Sequence, residues 1–221
     1  MIYRSWLGAL PDLFEIFPAR LPGREARLNE APFKRLEPLI NALSEAILPY
    51  LDRPFAFFGH SMGAKIAFEL ARRLSQKGLD ALHLFVSGAR GPQTPRMEPP
   101  TYALPDLDFL ETVRELNGTP NEVLENPELM RLIIPLLRAD FELVQNYVYN
   151  PGPPLRCPIT AYGGLEDRHA PREHIKAWAW ETNASFTMRM FPGDHFFINA
   201  GRSLVLQSVA QGLQGRLRKA V

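Results

Sequence analysis

Residues 55–64 read Phe-Ala-Phe-Phe-Gly-His-Ser-Met-Gly-Ala, an apolar run ending in Gly59-His60-Ser61-Met62-Gly63. A serine hydroxyl is a weak nucleophile at neutral pH. It becomes a strong one when an imidazole takes its proton and an acid orients the imidazole. A helical apolar pattern follows at once (Ala64, Ile66, Ala67, Phe68, Leu70, Ala71, Leu74), which places Ser61 at the apex of a strand–turn–helix, a nucleophile elbow. Glycine is expected at Gly59 and Gly63 because strand and helix approach closely there. The N–H of Met62, opening the helix, is the expected donor to a developing oxyanion.

In an elbow architecture the acid and then the histidine follow on loops after later strands. Asp167 follows one late apolar segment and His195 the next, so Ser61, Asp167 and His195 form the expected trio. Glu166 competes with Asp167 for the acid position, and spacing leaves both open. Asp194 adjoins His195, and adjacent side chains diverge, so it reads as a turn residue. His169 lies too near Asp167 along the chain to be the obvious base, and His60 flanks the serine without facing it. The pentapeptide alone is a modest signal, since about one chain in thirty of this composition carries Gly-x-Ser-x-Gly by chance.

The elements that must position these residues alternate. Ile2 to Leu10 has helical spacing, Phe14 to Phe17 is a strand candidate, and Phe33 to Leu51 is a helix with Pro38 tolerable near its first turn. After the elbow come strands at Leu82–Ser87, Ile159–Tyr162 and Ser185–Phe191, with helices at Arg172–Trp180 and Leu204–Leu217. Such alternation implies an α/β fold with a mostly parallel sheet covered on both faces. Between Pro99 and Pro154 no strand pattern occurs. Two amphipathic helices, Leu107–Leu116 and Glu128–Val148, flank a turn at Gly118-Thr119-Pro120-Asn121 and read as a lid insertion in a single domain spanning 1–221.

Composition narrows the classes. At 221 residues and 46% hydrophobic content the chain can bury a full core. A net charge of +1 with no basic run gives no reason to expect nucleic acid. The single cysteine, Cys157, precludes an intrachain disulfide and a Cys-rich zinc site, and reads as a buried structural thiol. No His/Asp/Glu spacing suggests a metal. No apolar run approaches the ~20 residues needed to span a bilayer, and the start has no secretory signature. The expectation is a cytoplasmic monomer without cofactor.

Five motifs in order carry a resemblance: Arg4-Ser5-Trp6, Arg20-Leu21-Pro22-Gly23-Arg24-Glu25, Gly59-His60-Ser61-Met62-Gly63, Leu137-Arg138-Ala139-Asp140 and Gly193-Asp194-His195-Phe196-Phe197. Nearly end to end, the chain resembles the type II thioesterases, stand-alone editing enzymes of nonribosomal peptide and polyketide (antibiotic) assembly lines in the α/β-hydrolase superfamily. The resemblance implies hydrolysis of unwanted acyl groups from the phosphopantetheine arm of carrier proteins, with that arm belonging to the substrate. It implies that Ser61, Asp167 and His195 match the family's triad and that residues 99–154 match its lid. It also implies a further strand and a Pro-Tyr-Ala-Gly-Gly-like loop ahead of Arg4-Ser5-Trp6. Because Met1 falls inside that region, the expectation is a sheet lacking that strand and an oxyanion hole lacking that loop's N–H. Two alternatives remain beside this reading: another serine carboxylester hydrolase, or a catalytically poor carrier-binding remnant.

Overall fold

The computed structural model describes residues 2–119 and 121–220, with side chains except at 121 and 216–220. Four parallel strands, β1 (Ala56–His60), β2 (His83–Ser87), β3 (Ile159–Gly164) and β4 (Phe186–Phe191), pair in the order β1-β2-β3-β4. Parallel neighbours need crossovers, and helices supply them. After α1 (Leu36–Ala46) and β1, α2 (Met62–Ser75) leads to β2, and α3 (Asp106–Glu115), α4 (Asn121–Leu124) and α5 (Pro127–Gln145) lie between β2 and β3. The short α6 (Arg172–Lys176) precedes β4, and α7 (Phe197–Ala200) and α8 (Arg202–Ala220) close the chain.

Successive strand side chains point to opposite faces, and the core divides accordingly. Leu84, Val86, Ile159 and Ala161 meet Ala64, Phe68 and Trp178 on one side. Phe85 and Tyr162 meet Trp6, Phe197, Val205, Leu206 and Val209 on the other. Strands buried on both faces explain why β2 and β3 read as continuous apolar runs rather than alternating ones. A third cluster packs α1 on α2 through Leu39, Ile40, Ile66 and Leu70.

The expected elements are present with differences in detail: the helix expected at Arg172–Trp180 is α6 followed by a 3-10 turn at Ala177–Glu181, and that at Phe33–Leu51 is α1 followed by a 3-10 turn at Leu48–Tyr50. Phe14 to Phe17 is coil. Phe14 and Ile16 pack on the apolar face around Trp6 and Val209, and Phe14 N–H closes a turn onto Pro11 at 2.8 Å. Alternation was satisfied by burial, whereas a strand needs a pairing edge. The N-terminal helix is a 3-10 turn at Ile2–Trp6, shorter than Ile2 to Leu10. Of the turn expected at 118–121, Pro120 lies outside the described residues, and Asn121 is already the first residue of α4. Pro38 falls in the first turn of α1, where its missing N–H costs nothing. Cys157 is buried. Among the described residues no helix is long and apolar enough to cross a membrane.

Candidate active site

The sheet places three loops side by side at its carboxyl end. β1 runs directly into Ser61, which adopts φ 53°, ψ −115° before α2 begins at Met62. Positive φ in a non-glycine residue is strained and persists because the surroundings hold it. Here Ser61 N–H donates to Ser87 O at 2.7 Å, and Ala64 N–H to Ser61 O at 3.0 Å. A Cβ on Gly59 would lie 2.0 Å from the carbonyl oxygen of Gly63, so only glycine fits there. Gly63 differs from expectation: a Cβ on it would meet nothing nearer than Tyr3 Oη at 3.6 Å, so its backbone, not its lack of side chain, makes the close contact. Met62, the first residue of α2, has an N–H with no partner within the helix.

β3 ends at Gly164, where a Cβ would meet Asp194 O at 2.3 Å. This close approach brings the Asp167 loop against the His195 loop, and Leu165 N–H to Phe191 O (2.8 Å) and Glu166 N–H to Gly193 O (3.0 Å) fasten the two. As a result Asp167 Oδ2 lies 2.9 Å from His195 Nδ1, and His195 Nε2 lies 2.9 Å from Ser61 Oγ. A carboxylate can only accept, so Nδ1 carries the proton and Nε2 is free to accept from the serine hydroxyl. Of the two rival acids, the structure brings Asp167 to the imidazole and leaves Glu166 exposed.

Burial works against the charge on Asp167. Hydrogen bonds from His195, His169 N–H (2.9 Å) and Ala170 N–H (3.1 Å) outweigh it and hold the carboxyl below the usual range. Asp194 is a turn residue, accepting from Phe196 N–H at 2.9 Å and from Asn117 Nδ2 at 2.7 Å. His169 is half-buried, its ring 5.7 Å from that of His195, and burial lowers its pKa.

Two supporting groups were not legible along the chain. His60 is buried behind the site with Nδ1 2.9 Å from Ser87 Oγ and its ring 5.2 Å from that of His195. Burial, with the nearby His195, drives its pKa down to about 3, so it stays neutral. The Tyr3 hydroxyl accepts from His60 N–H at 3.0 Å and braces the end of β1, which lies at the sheet edge among the described strands. An aromatic at the third residue is the sole sequence hint of that role.

A cleft of about 2280 Å³ opens over Ser61 and His195. Its far wall comes from the helical segment, through Val113, Leu116, Leu137, Phe141 and Val144. Among the described residues no group of three His, Cys, Asp or Glu side chains is placed to hold a metal.

A parallel sheet carrying such a hydrogen-bonded relay on its carboxyl-end loops has the architecture of an α/β-hydrolase. The Thioesterase domain family model matches residues 1–213, and the chain belongs to the thioesterase family, a family of hydrolases. It is 44% identical to the linear gramicidin dehydrogenase LgrE of Brevibacillus parabrevis over 220 residues, covering 98% of this chain and 84% of that protein. That name describes an oxidoreductase, whereas the family match and the Ser–His–Asp geometry describe a hydrolase. The gramicidin S biosynthesis protein GrsT of Aneurinibacillus migulanus is 40% identical over 213 residues, covering 96% and 83%. The structure of the type II thioesterase BorB from the borrelidin biosynthetic cluster superposes with a TM-score of 0.88 at 34% identity, covering 96% of this chain and 86% of that one.

Proposed function

We propose that the chain hydrolyses acyl thioesters held on the phosphopantetheine arm of carrier proteins, clearing misprimed or stalled peptide and polyketide synthetases. The observation that carries this reading is the unbroken relay from Asp167 through His195 to Ser61, at 2.9 Å for each step, on the floor of an apolar-walled cleft. Membership of the thioesterase family and similarity to GrsT and BorB support the substrate class.

In this reading Ser61 Oγ attacks the thioester carbonyl while His195 Nε2 takes its proton. Asp167 keeps Nδ1 protonated and stabilises the imidazolium. The Met62 N–H meets the oxyanion as it forms. Collapse of the tetrahedral intermediate breaks the C–S bond, and His195 returns its proton to the leaving thiolate. A water, deprotonated by the same imidazole, then releases the acid and regenerates Ser61. No cofactor enters, since the pantetheine belongs to the substrate. The α3–α5 segment acts as the lid over the acyl chain, and the protein works as a cytoplasmic monomer beside its synthetase.

The experiment compares one acyl group on a carrier protein, on coenzyme A and as an oxygen ester. Fastest turnover on the carrier supports the proposal. A clear preference for the oxygen ester overturns it in favour of a carboxylester hydrolase.

A further inference from the structure

One turn along α2 from the nucleophile, the cleft wall carries cations for which the hydrolytic cycle has no use. Lys65 lies near the start of α2, four residues after Ser61 in the chain. It lines the cleft together with Arg90 and Arg96 from the loop after β2. Its Nζ sits 4.8 Å from the centre of the Tyr147 ring and forms no ion pair among the described residues. The acid one turn further on, Glu69, is already occupied by Arg72 at 3.1 Å and by the Tyr147 hydroxyl at 2.6 Å. Arg90 pairs with Glu98 at 2.7 Å and donates to His169 O at 2.6 Å. Arg96 donates to the carbonyls of Glu98 and Pro99, which are neutral. Among the described residues, only Arg90 of these three cations is paired with a carboxylate. Burial, reinforced by Arg96 and Arg90, lowers the Lys65 ammonium to about 8, as expected of a charge held without a counter-ion.

We propose that Lys65, backed by Arg96 and Arg90, is an anion subsite that binds a negatively charged group on the thioester substrate. The inference rests on the thioesterase reading above. Two groups on such a substrate carry the right charge, a carboxylate on the acyl chain and the phosphate of the arm. Lys65 follows the nucleophile by only four residues, and the phosphate of an extended arm lies about 15 Å from the sulfur. A carboxylate on the acyl chain is therefore the source tested first.

The test measures kcat/KM for adipoyl and hexanoyl thioesters of N-acetylcysteamine, which lacks phosphate, and for hexanoyl-phosphopantetheine. Lys65→Met should lower the adipoyl-to-hexanoyl ratio by about tenfold, chiefly through KM, with Lys65→Arg retaining it, because a charge-assisted hydrogen bond is worth about that much. A fall confined to the phosphopantetheine-to-N-acetylcysteamine ratio keeps the anion subsite and assigns it to the phosphate. Both ratios unchanged in Lys65→Met, or all substrates slowed equally, overturns the subsite. A wild-type enzyme that cleaves hexanoyl oxygen esters and none of the thioesters overturns the thioesterase reading instead. The subsite is then judged on adipoyl against hexanoyl oxygen esters by the same ratio.

Discussion

Asp167 and His195 sit on the loops after β3 and β4, 4% and 5% exposed, with the backbone of each loop bonded to its neighbour. The α3–α5 helices facing them are held differently. They fold largely around a small cluster of their own, Phe109, Val113, Leu124 and Met130, while Leu143 of α5 is buried against α1 and α2. Side chains fasten them to the rest: Arg24 to Asp140, Lys34 to Glu142 at 3.2 Å, and Asn117 to Asp194 at 2.7 Å. Backbone bonding between the loops at the sheet ends holds the reacting atoms at hydrogen-bond distance, as proton transfer requires. The helical segment thus rests on its own core, on Leu143 packed against α1 and α2, and on side-chain pairs.

The comparison is broken most severely at the nucleophile. Ser61→Ala and His195→Ala should each lower thioester turnover by about four to six orders of magnitude, because the two act as one unit. Cooperative thermal unfolding of both variants should persist, since neither removes core packing. Asp167→Asn, which favours the wrong imidazole tautomer, should cost about 10⁴ in kcat, while Glu166→Gln stays within about twofold. Steady-state kinetics on one acyl-carrier substrate checks both, and a costlier Glu166 would reverse the acid assignment.

On the side of the α3–α5 helices, Arg24→Ala leaves the half-buried Asp140 carboxyl, whose pKa burial already raises, without its partner. Stability should fall by about 1–2 kcal/mol, less than for a fully buried pair because both side chains keep some solvent. Amide exchange should quicken across α5 and leave β1–β4 protected, with acyl-length preference shifting more than kcat. Equal deprotection of the sheet and the α3–α5 helices would erase the distinction between the two regions.

The smallest effect concerns His60. Its folded pKa of about 3 lies below the ordinary histidine value of about 6.5, so between these values the unfolded chain binds the extra proton. Stability contributed by the neutral ring is therefore present above about pH 6.5 and lost as pH falls toward 3. Melting temperatures at pH 7 and 5 should drop by less in His60→Gln than in wild type. His169, also lowered by burial, contributes with the same sign in both proteins and cancels from the difference.

The elbow, the order of serine, acid and histidine, the four strand positions and the helical pattern between β2 and β3 were all legible in the chain. Each depends on local spacing: apolar runs bounded by glycine or proline, helical periodicity, and small residues at a sharp turn. What depended on distant partners was not. Asp167 and Glu166 are adjacent and chemically alike. The choice between them is made by the turn after β3, which Phe191 and Gly193 pin from a different strand. Phe14 to Phe17 has a strand-like pattern yet forms none, because pairing needs an edge that no local pattern specifies. Arg24 and Asp140 stand 116 residues apart, and Lys65, Arg90 and Arg96 become one charged wall only when α2 and the loop after β2 line the same cleft. Local periodicity is written in neighbouring side chains and survives in a linear reading. Pairing, burial and charge clustering are properties of distances between segments, and those distances exist only once the sheet has formed.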